Sequence, residues 1–146
     1  MTDLVLLPNV EAIIGDALRD HPDITAIGAR VAGSTPATIT LPWIRVTQLD
    51  MPDSGHSLEH LVSPMVQLEC YAGKAATDAH AGQMEAWRLK ATARAILAGL
   101  KGTVTDGAVV TGVVFTGDAR IPDTAMEPAR ERYILTADVT LHAVSG

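Results

Sequence analysis

Aromatic residues are scarce in this chain of 146 residues: two Trp, two Tyr and one Phe, 3% of the whole. A core with so few rings must be packed from Ala, Val, Leu and Ile, with backbones in close approach. Cysteine is scarcer still. The lone Cys70 cannot form an internal disulfide, and Met1-Thr2-Asp3-Leu4 lacks the basic region that opens a secretory signal, so a reducing cytoplasm is the expected site of synthesis. No apolar run reaches the roughly 18 residues of a membrane span, because the most alanine-rich stretch is broken by Arg88, Lys90, Thr92 and Arg94. A soluble protein is expected. An excess of basic charge is also missing: 11 Lys and Arg stand against 17 Asp and Glu, a net charge of -6. Binding a phosphate backbone needs clustered cations, and the one local group, Arg88, Lys90 and Arg94, reads as a solvated helix face with no aromatic platform beside it. The length fits one domain, residues 1–146.

What is present is organised around Pro64 to Gly102. In Met65-Val66-Gln67-Leu68-Glu69-Cys70-Tyr71-Ala72 the residues Val66, Leu68, Cys70 and Ala72 share one face, and Gln67, Glu69 and Tyr71 the other, which predicts a half-buried strand. After Gly73-Lys74, Thr77 or Asp78 can cap a helix with Ala86, Leu89, Ala93, Ile96, Leu97 and Leu100 on one stripe, and Gly102 can stop it. Upstream, Asn9 caps a first helix over residues 9–20, with Val10, Ile13, Ile14, Ala17 and Leu18 as its apolar side, and His21-Pro22-Asp23 ends it. A short buried piece follows at Ile24, Ile27 and Val31. Pro42 then opens a strand over Trp43–Leu49, with Ile44 and Val46 on one face and Trp43, Arg45 and Thr47 on the other.

A long loop is expected from Asp50 to Ser63 and a second from Gly117 to Glu131. Between and after them lie a Val-rich strand, Ala108–Thr116, with Gly112 as a candidate bulge, and an alternating strand, Arg132–Val144. The resulting fold class is α+β: a single mainly antiparallel sheet of four to five strands with two helices packed on one face.

The chain shows no catalytic fingerprint. It has no Gly-x-Ser-x-Gly elbow, and Gly73-Lys74-Ala75 lacks both the upstream glycine and the hydroxyl residue of a phosphate-binding loop. Cys70 falls on the inward face of its strand, where a structural thiol is the stronger reading than a nucleophile. His56 and His60, near Asp53 and Glu59, have ligand types that zinc accepts, but an i, i+4 pair fixes a metal only on a helix, and Pro52 and Gly55 argue against one. No metal or cofactor is expected, and the reading is not an enzyme. Asp118, Asp123, Glu127 and Glu131 alternate with Arg120, Arg130 and Arg132, a pattern that suits ion pairs between surfaces. The outer sheet face, with Trp43, Arg45, Tyr71 and Ile134 among polar residues, has the mixed character of an oligomer interface.

The N-terminal helix is followed by Leu41-Pro42-Trp43-Ile44-Arg45-Val46, by Val66 to Ala72 running into an alanine-rich helix, by Val110-Thr111-Gly112-Val113, and by Arg132 to Leu141. In order and spacing these runs resemble the tail terminator proteins of long-tailed, siphovirus-type bacteriophages, in the version common in phages of actinobacteria. The resemblance implies a virion structural protein at the head-tail junction, made in the host bacterial cytoplasm. It implies a hexameric ring on the head-proximal end of the tail tube that ends tube polymerisation and joins the tail to the head connector. Catalysis and cofactors are not implied. The implied partners are further copies of the chain, the tail tube protein and the connector protein, with DNA only in transit and no membrane. A closing ring needs a heterologous interface, and Trp43, Arg45, Tyr71 and Arg132 are its candidate residues. Asp50, Asp53, His56, His60, Asp118, Arg120, Asp123, Glu127 and Arg130 are the candidate partner-contacting loop residues. The alternatives are a head-completion or stopper connector protein, and a metal-dependent small-molecule binder or enzyme using His56 and His60.

Overall fold

The computed structural model describes residues 9–33, 42–50, 61–73, 79–105, 107–125 and 130–143. Its elements run α1 (Val10–Asp20), α2 (Pro22–Ile27), β1 (Arg30–Ala32), β2 (Trp43–Asp50), β3 (Leu61–Val62), β4 (Met65–Tyr71), α3 (Ala79–Ala98), β5 (Val104–Thr105), β6 (Ala108–Arg120) and β7 (Arg132–Ala143). The fold is α+β. The sheet has the order β1-β2-β4-β7-β6-β5, with β3 also on β7. All pairings are antiparallel except β1 with β2, so the sheet is mixed and has seven strands among the described residues, more than the four or five expected.

The first helix forms as its sequence predicts. Asn9 Oδ1 accepts from the Ala12 amide at 3.2 Å, and Val10, Ile13, Ile14 and Leu18 are buried. His21-Pro22 ends this helix but also begins another, which the sequence reading did not foresee. His21 Nδ1 accepts from the Asp23 amide at 3.1 Å, Pro22 occupies the first turn where its missing N–H costs nothing, and Gly28 closes α2 at a φ of 80°. The third helix buries Ala86, Leu89, Ala93, Leu97 and Leu100, with Ile96 packed at the margin. The expected caps Thr77 and Asp78 lie outside the described residues.

The helices lie on one face of the sheet. Their stripes meet Ile44 and Val46 of β2, Val66, Leu68 and Cys70 of β4, and Leu135, Ala137, Val139 and Leu141 of β7, all essentially inaccessible to solvent. Burying a Leu or Val side chain contributes about 1.5–3 kcal/mol, so this aliphatic layer supplies the drive that a ring-poor chain needs.

Strand β7 is bonded on both sides. Ala72 donates to the Glu131 carbonyl and Val139 to the Pro64 carbonyl, each at 3.0 Å, whereas Ile121 donates to the Arg132 carbonyl at 2.9 Å. An extended residue turns its N–H and C=O to the same side, so the odd-numbered residues of β7 bond toward β4 and β3, and the even-numbered ones toward β6. Strands β3 and β4 lie end to end along one side, joined through Ser63-Pro64, where Ser63 Oγ and Thr140 Oγ1 are 2.9 Å apart.

The segment Gly117 to Glu131 is not the long loop expected. Strand β6 continues to Arg120, and an Asp123–Arg130 bridge carries the antiparallel pairing further out, giving one long hairpin with β7. The same holds in part for Asp50 to Ser63, where Asp50 is the last residue of β2 and Leu61–Val62 form β3. Pairing of β6 with β7 shifts register twice, between Val110 and Gly112 and between Phe115 and Gly117, so the bulge expected at Gly112 has a second one five residues on. Each bulge adds one residue to β6 and bends the strand.

Gly117 sits against Thr136, whose hydroxyl would overlap a Cβ placed there. Gly117→Ala is therefore expected to lower unfolding stability by about 1–3 kcal/mol in urea titration. Adding Thr136→Ala should recover part of that loss, and equal losses in the single and double variants would show that Thr136 is not the obstacle.

Candidate functional site

The register of three adjacent strands assembles the outer-face residues. Trp43 stands opposite Tyr71, Tyr71 opposite Arg132, and Arg45 opposite Glu69. Paired residues lie on the same face, so these side chains form two cross-strand rows on the side of the sheet away from the helices. The Trp43 and Tyr71 rings stack with centroids 5.1 Å apart and planes 15° from parallel, and the Arg132 guanidinium lies 5.7 Å from the Tyr71 ring.

Glu69 is the hub of the second row, and only 7% of its surface is exposed. Its Oε2 accepts from Tyr71 OH at 3.0 Å and from Arg132 at 3.1 Å, while Oε1 accepts from Gln67 Nε2 at 3.2 Å and lies 3.9 Å from the Arg45 guanidinium. Asp123 completes the group from the hairpin: its Oδ2 is 3.0 Å from Tyr71 OH and 3.7 Å from Arg132. Backbone bonds to Arg130 at 2.8 and 3.1 Å, and the Ala125 amide on Oδ1 at 3.0 Å, hold Asp123 in place. The single Tyr71 hydroxyl proton is thus offered two carboxylates, and two carboxylates face two guanidiniums in a cluster with no net charge.

Burial, against a hydrogen bond from Arg132 that favours ionisation and the neighbouring Glu69 and Asp123 that oppose it, pushes the Tyr71 phenol up to about 12. For Arg132, burial works against the charge, but the contacts with Tyr71, Asp123 and Glu69 outweigh it and raise the pKa.

All four candidate interface residues belong to this patch, but they are less accessible than the sequence reading expected. Trp43 is 3% and Tyr71 4% exposed, and the Arg132 side chain is mostly covered, so of the four Arg45 is the most open. Along the outer face of β2, three buried polar atoms have no hydrogen-bond partner among the described residues: Trp43 Nε1, Arg45 Nε and Thr47 Oγ1. They are two residues apart and so form one row.

The candidate loop residues are dispersed. Asp118 and Arg120 are strand residues of β6, a correction to their placement in a loop. Asp118 projects to the helix side, where Oδ2 accepts from Lys90 Nζ at 3.2 Å and from Arg94 at 2.8 Å. Lys90 is 8% exposed and lies 5.0 Å from the Tyr133 ring, so it is a buried partner and not part of the solvated face first read for Arg88, Lys90 and Arg94. Arg94 stacks over Phe115 at 4.5 Å. Arg120 makes a two-point contact with Glu131, at 2.7 and 2.9 Å, and this hydrogen bonding raises its pKa. Arg130 reaches the Gly73 carbonyl at 3.4 Å, and Asp50 is exposed at the end of β2. Asp53, His56, His60 and Glu127 lie outside the described residues.

The sequence reading missed Glu69, Lys90 and Glu131 as buried charges, and Trp87 as an exposed ring 47% open beside Met84, in a groove between α2 and α3 that Ile27 and Pro42 also line. Cys70 is fully buried, and that burial pushes its thiol up to about 12. Neither a family model nor a curated protein matches the chain.

Two checks follow from the burial. The Tyr71 phenol, held in its neutral form, contributes stability that is complete below its ordinary value of 10.0 and lost as pH rises toward about 12. Cys70 adds the same sign between 9.0 and about 12. In an alkaline ultraviolet titration, one of the two tyrosines is expected to ionise late, together with a fall in stability that Tyr71→Phe reduces. The Cys70 thiol should stay unreactive toward a disulfide reagent until the protein unfolds, and rapid labelling at neutral pH would contradict this burial.

Proposed function

We propose that this protein is a virion structural subunit of the tail-terminator kind. It forms a hexameric ring at the head-proximal end of a phage tail tube, ends tube growth there and joins the tail to the head connector. The observation that carries the assembly part of this reading is the mixed outer face on which the Arg45 side chain, 36% exposed, stands beside the stacked Trp43 and Tyr71 rings. Beside it Trp43 Nε1, Arg45 Nε and Thr47 Oγ1 are shielded from solvent within the subunit and have no hydrogen-bond partner among the described residues, each at a cost of about 1–3 kcal/mol, so a shift of β2 that paired them on assembly would be favourable.

Further support comes from the order of the runs that carry the resemblance. Trp43 to Val46, Val66 to Tyr71, Arg132 to Leu141 and Val110 to Val113 fall on β2, β4, β7 and β6, four successive strands backed by the alanine-rich α3. Arg45 is the residue of the patch placed to meet a neighbour, since Tyr71 and Arg132 are engaged within the subunit. The net charge of -6 suits a ring through which DNA passes without adhering.

The test is to add purified protein to polymerising tail tube subunits and to measure tube length, with native mass spectrometry for ring size. The expected result is a six-membered species and tubes that stop growing. Arg45→Glu should weaken the ring while leaving the far-ultraviolet dichroism unchanged. Arg132→Glu serves as a contrast, expected to cost about 3 kcal/mol of stability because it removes the cation that Glu69 and Asp123 share and adds a third carboxylate beside them. Capping of filled heads in place of tubes would move the protein to the head-completion class, and no capping of either would sink the proposal.

A further inference from the structure

His21 is the joint between α1 and α2, and it closes both. Its amide donates to the Leu18 carbonyl at 3.3 Å, at the end of α1. Its carbonyl accepts from the Ile24 amide at 3.2 Å, the Thr25 amide at 3.1 Å and the Thr25 hydroxyl at 3.3 Å. Pro22 has no amide to satisfy, so the first-turn donor left over is the Asp23 N–H, and it goes to Nδ1 of the His21 imidazole at 3.1 Å. Every amide donor of the first turn of α2 therefore ends on one residue. A helix of six residues has no long run of internal bonds to make good the loss of a cap.

A ring nitrogen accepts a hydrogen bond only while it carries no proton, so the Asp23 amide fixes neutral His21 as the tautomer with its proton on Nε2. This distinguishes His21 from the Asn9 cap of α1, whose side-chain oxygen accepts at any ordinary pH. Histidine is the side-chain type whose ordinary titration falls between about pH 5 and 8. The charged groups around it pull both ways. Asp23 Oδ2 lies 3.9 Å from Nδ1, near enough to take a protonated Nδ1 as its partner in place of the amide. Arg88 of α3 lines the same cleft as His21 and opposes a second cation there. On α1, Asp20 adjoins His21 in sequence, and Arg19 is occupied by Asp16 and the Val31 carbonyl.

We propose that His21 is a proton-operated helix cap. Neutral, it holds the first turn of α2 through the Asp23 amide. Protonated, its Nδ1 becomes a donor, the bond from the amide is lost and the ring turns to the Asp23 carboxylate. The positive end of the helix then faces a cation in place of an acceptor. Ile24 stays anchored in the core at 1% exposure, so the released part is the turn around Asp23. That turn belongs to the groove between α2 and α3, which Asp23, Ala26 and Ile27 line together with Met84 and the exposed Trp87. Acidification therefore loosens one wall of the groove while the sheet and α3 stay in place. The inference does not depend on the tail-terminator reading, since it concerns a hydrogen bond within one subunit.

The test is nuclear magnetic resonance on the full, isotope-labelled chain. At about pH 8 the imidazole nitrogens of His21 should show the Nε2–H tautomer. Exchange of the Asp23 amide with water, taken relative to an unstructured peptide of the same sequence, should be slowed at about pH 8 and lose roughly threefold or more of that protection at about pH 5. Both readouts use the wild type. His21→Asn, which caps without titrating, should keep the protection at both pH values, and His21→Ala should lack it at both. The fluorescence that Trp87→Phe removes should change in step with protonation of His21 in the wild type and stay constant in His21→Asn. The proposal is overturned by an Nδ1–H tautomer at the higher pH, by Asp23 protection indifferent to pH in the wild type, or by a pH response that His21→Asn shares. Constant Trp87 emission beside a lost Asp23 bond would overturn the link to the groove.

Discussion

Strand β7 is the constraint on which the rest of the structure depends. It is bonded along both edges, to β3 and β4 on one side and to β6 on the other, and the bonding sides alternate with residue number. Side chains alternate as well, so each β7 residue has both its bonding neighbour and its face fixed at once. Leu135, Ala137, Val139 and Leu141 must then meet the helices, and Arg132 must stand beside Tyr71. A slip of one residue would put Thr136 and Asp138 into the aliphatic core, a cost large enough to specify the register by itself.

The same registration explains how charged residues become buried without loss of order. Glu69 and Arg132 reach each other because β4 and β7 are adjacent, and Asp123 joins them because β6 and β7 continue as a hairpin past the body of the sheet. Buried ion pairs seldom add net stability over an aliphatic replacement, since desolvation offsets the attraction. Their effect here is positional. Tyr71 OH lies between Glu69 and Asp123, which ties the hairpin to the outer face of β4. On the opposite face, Lys90, Arg94 and Asp118 tie the same hairpin to α3. The long arm is thus held from both faces by charge where it has few aliphatic contacts.

Much of this was legible in the sequence, for reasons that differ by element. The stripe of α1, its Asn9 cap, the alternation of β4 and β7 and the helical stripe of α3 are local patterns, and each appears where its pattern lies. The helix α2 was missed because Pro22 reads as a terminator, although a proline is equally suited to a first turn. The hairpin was missed because Asp118, Arg120, Asp123 and Arg130 look like loop chemistry. Asp118 and Arg120 are instead strand residues paired with Lys90 and Glu131, partners that no local pattern reveals. The outer-face patch is half legible: alternation places Trp43, Arg45 and Tyr71 together, but the hydrogen bonds that hold Tyr71 come from Arg132 and Asp123, which are distant in sequence. Lys90 was read as solvated since nothing local reveals that Asp118 and Tyr133 surround it.

The two bulges connect fold to assembly. Each follows the same Thr-Gly step, at Thr111-Gly112 and at Thr116-Gly117, and each bends β6. A thirteen-residue strand without them would expose a long, flat, uncharged edge, the form most prone to indefinite pairing. With them, the outward bonding groups in the uncharged stretch that have no backbone partner among the described residues belong to Val113 and Phe115. An edge that short offers little to indefinite strand pairing. The outer face of β2 differs in kind: the atoms without a partner among the described residues are side-chain groups, shielded from solvent beside a stacked Trp-Tyr pair.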